Sequence, residues 1–159
     1  MRTYLLITAL LAAPAIAAAP MSGAQYVAKA GASDQYELQS SRLMLASSKN
    51  AGLRSYAQDM IKDHTTSTAE VKAAAMQGKV KAGPPKLDAT GVRNMAALRA
   101  AAAGPARDKL YVQQQKLSHR QALALQQGYA ADGTVAPLKA TAAKIVPVVQ
   151  HHLAMIEKM

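Results

Sequence analysis

From Gly23 to Ile156 the apolar residues recur every three or four positions, and on three of the segments with this rhythm a histidine takes a place in the apolar stripe. A repeat of 3.6 residues puts such positions on one face of a helix. The last segment shows it most cleanly, with Leu138, Ala142, Ile145, Val149, His152 and Ile156 in line. No stretch alternates apolar and polar residues with period two. Ala, Leu, Gln, Lys and Met dominate, and all are good helix formers. The chain therefore reads as all-α.

Breakers divide it into four long helices and one short one. The first spans about Gly23 to Ser48, with Val27, Ala30, Asp34, Glu37, Ser41 and Met44 on one stripe. A turn at Lys49–Gly52 follows, where Asn50 can cap the next helix. That second helix runs to about Gln77, and Gly78 is a natural stop. Its stripe is Leu53, Ala57, Met60, His64, Ser67 and Val71. Residues 79–86, with Gly83-Pro84-Pro85, form an exposed linker. Asp88 caps a short helix that ends near Ala103. Gly104 breaks it, and Pro105 suits the first position of the third long helix. Val112, His119, Ala122 and Leu123 share a face there. A turn at Asp132-Gly133-Thr134 leads to the fourth, which contains Pro147, a residue expected to kink it. This pattern is an antiparallel four-helix bundle over residues 22–159, with the short helix as an extra connecting piece between two hairpins.

The polar residues on these stripes are the functional clue. Burying an unsatisfied polar group costs roughly 2–7 kcal/mol, so Glu37, His64, His119 and His152 need partners if they face a core. One reading makes them ligands of a transition metal such as zinc, copper or nickel, all of which suit imidazole. The other makes each a hydrogen-bonded core residue that fixes packing, in which case His64→Leu should be tolerated. Counting from the turn near Asn50, Glu37 is 13 residues back and His64 is 14 on, so they share a level. Counting from a turn centred between Asp132 and Gly133, His119 is 13.5 back and His152 is 19.5 on. Six residues of helix are roughly 9 Å, which makes His152 the doubtful member. His151 faces away from the stripe, and Asp63 is off it, placed either to steer a ring or to be solvated.

Several chemistries find no support. A di-iron centre of the ferritin type needs two Glu-x-x-His pairs. The three glutamates, Glu37, Glu70 and Glu157, have no histidine three positions on. There is no cysteine, so thiolate zinc and iron–sulfur sites are excluded. Nothing indicates an enzyme: no nucleophile elbow, cofactor loop or acid pair is visible. The net charge of +10 favours anionic partners, here anionic components of a cell envelope. The lack of Trp and Phe argues against nucleic acid. Met1–Arg2, the apolar run Leu5–Ala13 and the small residues Ala15-Ile16-Ala17 have the form of a secretory signal peptide, residues 1–17. Removing it leaves 142 residues, enough for one domain, located in the periplasm or secreted.

The run Tyr56-Ala57-Gln58-Asp59-Met60-Ile61-Lys62-Asp63-His64-Thr65 resembles the signature of domain-of-unknown-function family 4142, a group of exported bacterial proteins. Tyr111 to His119 resembles that family's third long helix, and Pro147 to Leu153 its closing helix, while Tyr26-Val27 and Glu37 fit the first. The resemblance implies a ferritin-like bundle and an envelope location. Members are often labelled outer-membrane proteins, although no segment here could build a transmembrane barrel. The family's motif histidines map onto His64, His119 and His152, which implies that the three act together. The chain departs from the pattern in being Ala-rich, Glu-poor and basic.

Overall fold

A computed structural model describes residues 19–159, and the expected signal peptide lies outside them. Five helices follow in order: α1 (Gly23–Ser47), α2 (Ala51–Gln77), α3 (Ala89–Ala100), α4 (Pro105–Asp132) and α5 (Ala136–Ile156). No strand occurs among the described residues. The all-α reading therefore holds.

Local chemistry explains where each helix starts. At α1 a capping box closes on itself: Ser22 Oγ accepts from the Gln25 backbone N–H, and Gln25 Oε1 accepts from the Ser22 N–H. Asn50 caps α2 by accepting from the Leu53 N–H at 3.1 Å, and Asp88 caps α3 through the Gly91 N–H at 2.7 Å. Helix α4 has no side-chain cap. Gly104 precedes it with a φ of +97°, which a side chain would strain, and Pro105 supplies a preset φ at its first position. Pro147 lies inside α5, which runs through it as one helix. The short helix ends earlier than its sequence suggests, at Ala100, and residues 101–104 form the turn into α4.

Helix α1 packs along α2, and α4 along α5; the pairs meet through α2 with α5 and α1 with α4. Helix α3 rests on α1 and α4. The buried apolar residues form two clusters. One gathers Tyr26, Ala30, Val71, Ala74, Ala75, Ala122, Tyr129, Leu138, Ala142, Ile145 and Val149. The other gathers Tyr36, Met44, Leu53, Tyr56, Ala57, Met60, Met95, Leu98, Tyr111 and Ile156. In each of the four long helices, the histidine or glutamate of interest falls in sequence between residues of the first cluster and residues of the second. The polar residues thus form a layer that separates two apolar halves.

Candidate metal centre

His64 of α2, His119 of α4 and His152 of α5 converge in that layer. All three are buried, at 5%, 1% and 1% exposure. Their ring centroids form a nearly equilateral triangle with sides of 5.8, 5.6 and 5.5 Å. One nitrogen from each lies within 4.8 Å of the others, the only such group of His, Asp and Glu donors among the described residues. A tetrahedral zinc with bonds near 2.1 Å sets its donor atoms about 3.4 Å apart, so small ring rotations would close the triangle onto an ion.

Each imidazole is held from behind. His64 Nδ1 is 2.8 Å from Asp34 Oδ1, whose other oxygen accepts from Thr68 Oγ1 at 2.9 Å. His119 Nδ1 is 3.0 Å from the Gln115 carbonyl of its own helix. His152 Nε2 is 3.0 Å from Asp63 Oδ2 of α2. Carbonyl and carboxylate oxygens accept only, so each ring donates outward and, when neutral, turns a lone pair inward. Those inward atoms are His64 Nε2, His119 Nε2 and His152 Nδ1, and all three are buried without a protein partner. Rings oriented by a carboxylate or carbonyl behind them, with bare nitrogens converging, have the arrangement that metal-ligating histidines show.

The electrostatics are uneven. Burial drives the His119 pKa down, against the charge of Glu37. Burial also lowers His152, to about 4, helped by the charges of His64 and His119 and opposed by its bond to Asp63. For His64, burial pulls downward, but the hydrogen bond and charge of Asp34, with the charges of Glu37 and Asp63, leave its pKa raised. His119 and His152 are therefore neutral at pH 7. A metal binding to His64 competes with a proton.

Glu37 does not join the triangle. Its carboxylate lies on the outward side of His119, 3.9 Å from Nδ1, and accepts from Gln115 Nε2 at 2.5 Å and Ser118 Oγ at 2.7 Å. Gln115 in turn accepts from the Tyr56 hydroxyl at 3.1 Å. Helix α4 supplies the donors that hold this carboxylate. His152, by contrast, is a full member. The linker before α5 extends through Val135, so the turn is centred later than the sequence suggested. Measured from the helix ends, His119 lies 13 residues before Asp132 and His152 lies 16 after Ala136. The offset is three residues, roughly 4.5 Å. The remaining offset does not keep its ring out of the triangle. His151 is exposed, as expected.

The sequence reading did not single out Asp34, Gln115 or Ser118. Asp34 stood three positions before Glu37 on the same stripe, a second buried acid needing a partner. Two surface depressions reach the layer through its carboxylates: a cavity of about 390 Å³ lined by Asp34, Thr68, Val71 and Pro85, and a groove of about 200 Å³ lined by Asp63, Ser67, Glu70 and Lys144. A larger cavity, about 1040 Å³, lies where the α1–α2 turn meets the start of α4 and has no histidine in its lining.

No helix of the described residues is long and apolar enough to cross a membrane. No curated protein and no solved structure matches the chain. A family model described as a domain of unknown function, DUF4142, matches residues 9–159, which span all five helices and the three histidines, and the chain belongs to that family.

Proposed function

We propose that this is an exported protein of the bacterial envelope that holds a transition metal, such as zinc, copper or nickel, on His64, His119 and His152. The observation that carries the reading is the set of three buried, partnerless nitrogens that converge while the opposite nitrogen of each ring is anchored. The lone pairs of His119 and His152, joined by that of His64 once it gives up its proton, face one another and repel, and a cation removes the conflict. The surroundings favour a cation as well: Asp34 and Glu37 are buried beside the rings, and Asp63 is two-thirds buried. Asp34, Asp63 and Glu37 then act as outer carboxylates that orient the ligands and offset the charge of the ion. In the same reading α1, α2, α4 and α5 form a ferritin-like four-helix bundle, with α3 as the connecting helix and the site in the bundle core. The donor set, imidazole without bridging glutamate, suits a single ion rather than a di-iron pair.

Zinc, copper or nickel should raise the melting temperature of chelator-treated protein. A ligand of the native state at 100 times its Kd adds about 2.7 kcal/mol of stability. Alanine at His64, His119 or His152 should abolish the rise, and His151→Ala should leave it intact. No rise with any of the three metals, or a rise that survives all three substitutions, refutes the site.

The net charge of +10 favours a second reading, in which the basic surface contacts anionic envelope components and the histidines serve only packing. It expects binding to anionic vesicles at low salt that weakens steeply as salt rises. Equal binding to neutral vesicles, or none, removes it.

A further inference from the structure

We propose that the metal at this centre keeps one coordination position for an exogenous ligand of a few atoms, water at rest. The proposal rests on the metal reading above. Its basis is the fate of the carboxylates and the phenol that surround the triangle. Among the described residues no fourth His, Asp or Glu atom joins the group, and the chain has no cysteine. Asp34 and Asp63 are committed to the outward nitrogens of His64 and His152. Glu37 is committed to Gln115 and Ser118 on the far side of His119. The phenol of Tyr56, whose ring lies 6.3 and 6.5 Å from those of His119 and His152, donates to Gln115 instead. Zinc is almost always four-coordinate, and zinc sites with three protein ligands fill the fourth place from solution. The size limit comes from burial, since none of the three rings exceeds 5% exposure.

X-ray absorption of the zinc-loaded full chain tests this directly. The expected shell is three imidazoles plus one oxygen or nitrogen without the outer scattering of a ring. Cobalt(II)-loaded protein should then show visible bands that shift saturably with azide, and His151→Ala should leave both results unchanged. A fourth imidazole, a sulfur scatterer, or cobalt bands indifferent to azide would show a closed site and overturn the proposal. If zinc is not retained and cobalt gives no visible bands, the metal reading falls and this one with it.

Discussion

The apolar cluster nearest the α4–α5 turn and the histidine layer beneath it occupy the same helices, yet they are held together by different forces. In the cluster, Ala30, Val71, Ala74, Ala142, Ile145 and Val149 have no polar side-chain atoms to satisfy. Dispersion and the removal of apolar surface from water stabilise it, at about 25 cal/mol per Å². In the layer, nearly every side chain is an obligation. Asp34 needs His64 and Thr68, His152 needs Asp63, and Glu37 needs Gln115 and Ser118. The cluster tolerates any close-packed apolar set of the right volume. The layer tolerates only sets that leave no charge alone. A core of this length could have been apolar throughout, so the interruption marks the place where stability was not the only requirement.

The comparison is broken most forcefully by putting a charge into the apolar half. Ile145→Asp places an unpaired carboxylate among Leu138, Ala142 and Val149, with no donor in the cluster apart from tyrosine hydroxyls. An uncompensated buried charge costs about 3–5 kcal/mol, and the native state of a domain is worth only about 5–15 kcal/mol. Circular dichroism melting should show the variant unfolded or with its transition lowered by more than ten degrees. A melt close to that of the wild type means that Ile145 is not part of a dry core.

The converse change carries the cluster's chemistry into the layer. The sequence alone suggested that His64→Leu is tolerated, since a leucine replaces a polar group of similar size. The structure reverses this expectation, because Asp34 is 4% exposed and would keep only Thr68. His64→Leu should cost about 3 kcal/mol, at the low end for breaking a buried pair. Adding Asp34→Asn removes the stranded charge and should recover part of the loss. Urea titrations of the two variants measure this. A double variant less stable than the single would show that Asp34 is solvated through its cavity and not dependent on His64.

How much of this was legible in the chain follows from the same contrast. Apolar periodicity found the helices and the stripes, because burial of a helix face depends on spacing along one segment. It also put His64, His119 and His152 on inward faces. What it missed lies between helices. Asp34 pairs with a histidine 30 residues on, and Asp63 with one 89 residues on. No local pattern encodes those pairings. Glu37 is buried, as its stripe suggests, but nothing in its neighbourhood announces that Gln115 and Ser118 bind its carboxylate. His152 was misjudged because three residues of extended linker, Gly133 to Val135, shift α5 along its axis.

The smallest effect separates the two regions by pH, because only the layer titrates. Chelator-treated protein is melted between pH 4 and pH 8. Burial lowers the folded pKa of His119 and His152 below the ordinary 6.5, to about 4 for His152. A depressed histidine contributes stability that is present above pH 6.5 and lost as the pH falls toward its folded value, because the unfolded chain then binds the proton more readily. His64, raised by the carboxylates around it, has the opposite sign: its contribution is present below pH 6.5 and fades as the pH climbs through its folded value. Stability should therefore peak near neutrality and decline on the acid side, by about 1.4 kcal/mol per pH unit for each depressed histidine. His152→Asn removes one titrating ring and should flatten the acid limb. Val149→Ala, one helical turn away in the apolar cluster, should cost about 2 kcal/mol at every pH and leave the shape of the curve alone. If both variants shift the curve without changing its slope between pH 4 and pH 6.5, His152 is not held neutral by burial, and the contrast between a titrating layer and a silent core is lost.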